Sequence, residues 1–172
     1  MSDFSQDIQR FNAMYRMPLA TTPTLINTKR LTDFKSILGK ELNEIDDIVA
    51  QLTALEDGMA RKVLSEAEFN FQKLEILTNF ADLLGDLQVY CASEMAKWGL
   101  PLDETLSIIM QSNFSKMGAD GKPIYDEQDK LQKGPNYWKP EPKLSAMLAG
   151  RISAAFLLKE MDVAYTARQE GK

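Results

Sequence analysis

The chain has 172 residues, of which 44% are hydrophobic and 26% are charged, and its formal net charge is −5. This composition is typical of a globular domain, and the negative charge argues against non-specific nucleic-acid binding, which depends on a basic surface. The sequence contains no histidine, which excludes Ser–His and Cys–His catalysis and metal binding by imidazole.

The start of the chain and its apolar content predict a cytoplasmic protein. The first ten residues lack the basic start and apolar block of a secretion signal. No apolar run approaches the roughly 20 residues that a membrane-spanning helix needs. Cys91 is the only cysteine, which excludes an internal disulfide. We therefore expect neither a membrane nor a nucleic acid as partner.

Apolar residues at helical spacing predict the helices in the first hundred residues. They predict a short helix over residues 3–15 and a long helix from about Asn27 to Leu55, which Asp57-Gly58 should end. A second long helix is predicted from Glu66 to Trp98, with Gly99 as its stop signal.

The rest of the chain predicts two helices separated by a long loop. Asp103 is the expected N-cap of a helix that reaches Ser115. Residues 116–143 are rich in Gly, Pro, Asp and Lys, which is typical of a functional or disordered loop. The last helix should cover about residues 144–168. Its apolar side carries Leu148, Ile152, Phe156 and Met161. With no alternating strand pattern, we predict one all-α domain, a helical bundle with its core over about residues 27–115.

The first long helix carries carboxylates where its apolar stripe predicts a hydrophobic residue. At about 100° per residue, Glu41 lies between Leu38 and Ile45, and Glu44 lies at the edge of the same stripe. A buried carboxylate must be paired, protonated or bound to a cation. The pattern leaves open a buried ion pair with a lysine or arginine and a metal site.

The second long helix carries four oxygen-bearing side chains at spacings of four, three and four. They are Glu75, Asn79, Asp82 and Asp86. The helix has no lysine or arginine between Leu74 and Ala96. Such a stripe suits a divalent cation, although a plain acidic surface would give the same pattern. Antiparallel packing of the two helices would place both acidic sets in one crevice, able to hold Mg²⁺, with Mn²⁺ as a substitute.

The spacing of these residues resembles a family motif. Glu41-Leu-Asn-Glu44 followed by Asn79-Phe-Ala-Asp82 resembles the ExxE…ExxD pattern of the all-α NTP pyrophosphohydrolases, which include MazG-like enzymes, dimeric dUTPases and phosphoribosyl-ATP pyrophosphohydrolases. The segment SNFSKMGADGKPIYDEQDKLQKGPNYWKPEP resembles the C-terminal signature of the phosphoribosyl-ATP-pyrophosphohydrolase-like branch, with its SNxSK turn and its GKP and KGPNYxxPE motifs. The resemblance covers roughly residues 4–143.

The resemblance implies a four-helix core of the MazG-like type, here followed by a long loop and an extra C-terminal helix. It implies a dimer that cleaves the α–β phosphate bond of a nucleotide to a nucleoside monophosphate and pyrophosphate. It also implies that Glu41, Glu44 and Asp82 are metal ligands. Independently of the resemblance, Glu41 or Glu44 is the expected general base if it is not fully engaged as a ligand.

One position departs from the family pattern. The fourth family ligand is a glutamate, and this chain has Asn79 instead. Its carbonyl oxygen can still bind Mg²⁺, but it carries no charge and cannot act as a base. Asp86 and Glu75, each within one helical turn, are available to compensate.

The loop supplies candidate substrate contacts. Lys116 and Lys133 are expected to bind phosphates, because an ammonium group is a point charge for polyphosphate. Asn113 and Asn136 are expected to contact the base or ribose, and Tyr137 to stack on the base. Trp138 could stack on a base as well. Alternatively, Tyr137 and Trp138 only pin the loop to the bundle, and the two lysines are solvated.

Three functions are compatible with the sequence. The first is metal-dependent hydrolysis of a (deoxy)nucleoside triphosphate in the nucleotide pool. The alternatives are a phosphoribosyl-ATP pyrophosphohydrolase and a catalytically weak helical module that binds nucleotides. A homodimer or higher homo-oligomer is expected, because the second long helix has more apolar circumference than a two-helix contact needs. The apolar residues are Phe80, Leu83, Leu84, Leu87 and Trp98.

Overall fold

A computed structural model describes the backbone of residues 3–170 and the side chains of residues 3–159. It is 69% helical, and no strand occurs in the described part of the chain. The helices are α1 (Phe4–Met14), α2 (Thr28–Ala60), α3 (Glu66–Lys97), α4 (Leu102–Phe114) and α5 (Glu141–Glu170). This confirms the prediction of an all-α protein. No helix in the described residues is long and apolar enough to cross a membrane.

Helix α2 continues past the predicted stop at Asp57-Gly58 and ends at Ala60. The prediction was wrong because a glycine can remain helical when the following residues supply the stop. Lys62 adopts a left-handed conformation with φ of 53°. The amide of Val63 donates to the carbonyl of Gly58 at 3.1 Å, which closes a Schellman motif. Gly58 also allows the side chain of Leu64 to pack closely on the last turn.

The boundary between α3 and α4 follows the sequence signals only in part. Gly99 has a φ of 65°, and its amide donates to the carbonyl of Ala96 at 3.3 Å, so the predicted stop is confirmed. Asp103 is not the N-cap of α4. That position belongs to Pro101, which makes no side-chain capping bond. Asp103 lies in the first turn, where a negative charge is favoured by the helix dipole.

Helix α5 begins at Glu141, three residues before the predicted Leu144. Pro142 lies in its first turn, where the missing N–H has no intrahelical partner to lose. The helix therefore starts within a segment whose prolines predicted a loop. The prediction for the side chain of Met161 concerns a residue outside the described side chains.

The chain divides into two compact units. The hairpin unit is Leu25–Glu94, and the terminal unit combines the chain up to Thr24 with the chain from Met95 onward. In the terminal unit, the backbone amide of Ala20 donates to the carbonyl of Ala96 at 3.1 Å. In the same unit, α4 and α5 are joined by an ion pair between Glu104 and Arg151 at 2.7 Å.

In the hairpin unit, α2 and α3 run antiparallel. Arg30, near the start of α2, pairs with Glu94, near the end of α3; we call this contact the ion pair. Gln51 accepts a hydrogen bond from Asn79 at 3.1 Å; we call this contact the amide pair. Since one residue number rises as the other falls, the two contacts define an antiparallel register. The buried apolar residues of this unit are Leu55, Ile76, Leu83 and Ala92.

Candidate functional site

The hairpin register brings the two acidic segments of the sequence together. Four carboxylates lie along the hairpin between the ion pair and the amide pair. They are Glu41, Glu44, Asp82 and Asp86. Glu41 is half-buried, and the other three are exposed. None of the four forms a salt bridge with any side chain that the structure describes. The alternative of a buried ion pair with lysine or arginine therefore has no support at these positions.

The surroundings of Glu41, one of these four carboxylates, shift its pKa. Burial raises the pKa of the Glu41 carboxyl above its ordinary value, and the negative charges of Glu44, Asp86 and Asp82 raise it further. Hydrogen bonding with Tyr90 acts in the opposite direction. Carboxylates from both helices are therefore close enough to repel one another, and a cation between them would relieve that repulsion.

Tyr90 belongs to this cluster, although the sequence pattern of acidic residues did not indicate it. Burial raises the pKa of its phenol, and the charges of Glu41, Asp86 and Glu44 add to the rise. Its hydroxyl hydrogen-bonds with Glu41. Tyr90 follows Asp86 by four residues and so continues the acidic stripe of α3, a spacing that would have located it.

Asn79 faces α2 through the amide pair. Its Nδ2 donates to Oε1 of Gln51 at 3.1 Å. Gln51 follows Glu44 by two helical turns and is a further residue that the sequence pattern did not indicate. Glu75 lies one turn beyond Asn79, towards the α2–α3 turn, and is not among the charges that act on Glu41. Of the two residues available to compensate for Asn79, the register places Asp86, and not Glu75, beside Glu41.

The donor set fits a hard cation in its chemistry, because carboxylate and amide oxygens are the ligands that Mg²⁺ and Mn²⁺ prefer. In their present rotamers, however, no three Cys, Asp or Glu side chains in the described residues are close enough to hold one metal ion. Binding would require rotation of exposed carboxylates such as Glu44 and Asp82. Asn79 and Asp82 also border an open depression of about 750 Å³. Its remaining lining residues are Leu74, Leu77, Thr78 and Ala81.

The predicted loop is an ordered segment of the terminal unit that is hydrogen-bonded to the end of α4. The Ser112 hydroxyl donates to the carbonyl of Trp138 at 2.8 Å, and the amide of Trp138 donates to the Ser115 hydroxyl at 3.2 Å. The amide of Gly134 donates to the carbonyl of Lys116 at 2.9 Å. Two strand-like residues, Tyr125 and Leu131, form an isolated bridge inside the loop.

Two of the predicted substrate residues in this segment, Lys133 and Tyr137, are in contact with each other. The ammonium of Lys133 lies 4.7 Å from the centre of the Tyr137 ring. The backbone carbonyl of Lys116 accepts the hydrogen bond from Gly134, which is the residue after Lys133. Asn113 lies one turn before Lys116, whose amide donates to the Asn113 carbonyl at 3.2 Å. Asn136 is exposed next to Tyr137. Tyr137 is half-buried in contact with Lys133, so stacking on a base and pinning of the loop both remain open for it.

No family model matches the chain, and no curated protein matches it. Among solved structures, it is similar to a crystal structure described as a "putative NTP pyrophosphohydrolase" from Exiguobacterium sp. 255-15. The two chains are 22% identical, and the likeness covers 90% of this chain and 98% of that chain with a TM-score of 0.46. This TM-score is too low for the likeness to bear on the residues of the site.

Proposed function

We propose that the protein is a metal-dependent pyrophosphohydrolase that converts a (deoxy)nucleoside triphosphate to a nucleoside monophosphate and pyrophosphate. The observation that carries the proposal is the antiparallel register of α2 and α3. This register brings Glu41 and Glu44 on α2 close enough to Asp82 and Asp86 on α3 for the negative charges to raise the pKa of Glu41. A family motif split between two helices can function only when the fold joins its halves.

Glu41, Glu44, Asp82, Asp86 and the carbonyl oxygen of Asn79 are the proposed metal ligands. When bound, Mg²⁺ or Mn²⁺ supplies positive charge that neutralises the triphosphate and favours attack on phosphorus. The exposed carboxylates of this set can rotate towards an ion, and no cationic side chain in the described structure occupies their oxygens.

The acidic side chains also suit the proton transfer that the reaction requires. A water oxygen forms a bond to the α-phosphorus while the bond from that phosphorus to the bridging oxygen breaks and pyrophosphate leaves. Glu41 or Glu44, whichever is not fully engaged as a ligand, accepts the proton of the water. Asn79 cannot take this role because an amide is not a base at neutral pH.

The proposed substrate contacts are Asn113, Lys116, Lys133, Asn136 and Tyr137 of the terminal unit. Lys133 is exposed, so its ammonium can bind phosphate oxygens as a point charge. Nothing in these residue types selects one base, so the proposal extends to the class of nucleoside triphosphates and not to a single member.

The test is release of pyrophosphate from canonical and modified (d)NTPs and from phosphoribosyl-ATP, with Mg²⁺ or Mn²⁺ and with an EDTA control. Glu44→Gln should lower turnover at least 100-fold without loss of helical circular dichroism, since it removes a ligand charge and a candidate base. Glu56→Gln makes the same chemical change at an exposed position of α2 and should leave turnover unchanged. Equal activity of the two variants would refute the metal assignment.

A nucleotide-binding module without useful turnover is the second candidate, and Asn79 is the observation that favours it. Because asparagine replaces the family glutamate, the site has one negative charge fewer to hold a cation. Calorimetric binding of a non-hydrolysable nucleoside triphosphate without pyrophosphate release from any triphosphate would support this function over catalysis.

We also propose that a second copy of the chain covers an apolar face of the hairpin unit. The residues of the proposed contact are two exposed apolar sets, Ile45, Val49 and Leu52 on α2 and Leu77, Phe80 and Leu84 on α3. Their spacing of three and four residues puts each set on one side of its helix. Of the apolar residues that predicted a dimer, Leu83 is 2% exposed, whereas Phe80 and Leu84 keep 45% and 43% exposure.

Light scattering at micromolar concentration tests this self-association. The unchanged protein should be a dimer or larger, and Leu52→Glu combined with Phe80→Glu should give monomers, because buried unpaired carboxylates are costly. Asp47→Lys, at an exposed polar position of α2, is the control. A monomeric unchanged protein would refute the proposal.

A cytoplasmic location is proposed as well, since an exposed free thiol at Cys91 suits a reducing compartment.

A further inference from the structure

The proposed substrate contacts do not include the two serines of the SNxSK turn. Ser112 lies in the last turn of α4 and is 2% exposed, and Ser115 is the C-cap of that helix. Both serines bond to one residue of the loop, Trp138, which directly follows Asn136 and Tyr137. The serine hydroxyls therefore join segments that are 26 and 23 residues apart in the chain.

The two hydroxyls bind both backbone hydrogen-bonding groups of Trp138. The Ser112 hydroxyl donates to the Trp138 carbonyl at 2.8 Å, and the Trp138 amide donates to the Ser115 hydroxyl at 3.2 Å. The proton of the Ser115 hydroxyl points to the Ser112 carbonyl, 2.7 Å away, so a lone pair of the same oxygen is left to accept from Trp138. The direction of each bond is fixed, because a backbone N–H only donates and a carbonyl only accepts.

The other end of this part of the loop is fixed at Gly134. Its amide donates to the carbonyl of Lys116 at 2.9 Å. This close approach requires glycine, since a Cβ would collide with the carbonyl of Met117. Asn136 and Tyr137 therefore lie on a short segment that is held at both ends.

The side chain of Trp138 is part of the same anchor. The residue is half-buried, and the ammonium of Lys143 lies 3.7 Å from the centre of its ring, in a cation–π contact that covers one face. Trp138 is thus engaged through its amide, its carbonyl and its ring. For this residue, these contacts favour pinning of the loop over stacking on a base.

We propose that Ser112 and Ser115 are positioning residues, which clamp Trp138 and thereby hold Asn136 and Tyr137 in place for a nucleoside triphosphate. The inference rests on the proposed function, since it takes these loop residues as substrate contacts, but the clamp itself requires no metal ion. A loop that is already held in place loses less conformational entropy when its ligand binds. The clamp therefore contributes to substrate affinity.

The test compares the steady-state kinetics of pyrophosphate release by serine variants. Ser112→Ala keeps the helix, because alanine has the highest helix propensity, and removes the hydroxyl that binds Trp138. It should raise KM about 10-fold and change kcat less than about threefold, since the freed loop must be ordered again on binding. Ser115→Ala should act in the same direction. Ser107→Ala is the matched control: Ser107 is exposed on the same helix and its hydroxyl bonds to Gln111, so both constants should stay unchanged.

Hydrogen exchange provides a second readout that needs no ligand. Ser112→Ala should speed exchange at the amides of residues 137 and 138, while the amides of α4 keep their rates. Unchanged exchange in the loop would overturn the clamp. An unchanged KM in both Ser112→Ala and Ser115→Ala would overturn the positioning role, and a fall in kcat alone would mean that the serines only stabilise the folded protein.

The outcomes separate this inference from the function on which it rests. If the unchanged chain binds a non-hydrolysable nucleoside triphosphate but releases no pyrophosphate from any triphosphate, the proposed hydrolysis is refuted. The calorimetric dissociation constant then replaces KM in the same comparison, and a rise of about 10-fold in Ser112→Ala still supports the clamp. If the unchanged chain binds no nucleotide at all, the positioning role is overturned together with the proposed substrate contacts.

Discussion

The ion pair between Arg30 and Glu94 is expected to be a main determinant of hairpin stability. Nε of Arg30 donates to both carboxylate oxygens of Glu94 at 2.8 and 3.0 Å, and Nη2 makes a further contact with Oε2. The side chains are 23% and 7% exposed, respectively. Glu94 raises the pKa of the Arg30 guanidinium, mainly through these hydrogen bonds. Arg30→Met would keep the aliphatic stem of the side chain and remove only the cation.

The size of the effect follows from burial. Removing one partner of a fully buried ion pair costs about 3–5 kcal/mol. Because part of Arg30 is exposed, water can offset some of the loss, and we expect about 2–3 kcal/mol. The adjacent Lys29 provides the control: it pairs with Asp33 at 2.6 Å, but its side chain is 80% exposed. Lys29→Met also removes one charge from the start of α2 and should cost less than about 0.5 kcal/mol.

Urea unfolding followed by circular dichroism would measure both variants in EDTA, at one fixed protomer concentration because self-association affects apparent stability. With an m-value of about 2 kcal/mol/M, Arg30→Met should lower the midpoint by roughly 1–1.5 M. An Arg30→Met shift no larger than that of Lys29→Met would refute the argument from burial. A changed m-value would show that the variant also alters the unfolded or native ensemble.

Two further predictions concern local structure. A Cβ on Gly134 would collide with the carbonyl of Met117, so Gly134→Ala should lower the free energy of unfolding by about 1–3 kcal/mol. Gly150 in α5 has open space around it, so Gly150→Ala should be neutral or stabilising. Thermal melts that show equal losses for the two variants would contradict this prediction. Ser65 lowers the pKa of Glu68 by side-chain and backbone hydrogen bonds. The stabilisation of the folded state by ionised Glu68 is therefore fully present above the ordinary glutamate pKa and is lost as the pH falls through the lowered pKa. The stability difference between the unchanged chain and Glu68→Gln should therefore shrink in acid, and a difference that grows below pH 4 would refute it.

The helices and most of their ends could be predicted from the sequence because these features depend on nearby residues. Apolar spacing located all five helices, and Gly99 marked the end of α3. Asp57-Gly58 did not end α2, since its stop depends on the left-handed conformation of Lys62 and on the packing of Leu64 against Gly58. The start of α5 was placed too late for a similar reason: prolines that predict a loop are also tolerated in a first helical turn.

The candidate site divides in the same way. Residue types and helical spacing alone selected Glu41, Glu44, Asp82 and Asp86 and raised the question of Asn79, because side chains three or four residues apart share a helix face. The sequence did not determine which residue of α2 lies opposite which residue of α3. That register is set by interhelical contacts, chiefly the ion pair and the amide pair. Tertiary structure therefore decided that Asp86 and Tyr90 lie beside Glu41, that Glu75 does not, and that Asn79 has Gln51 as its partner.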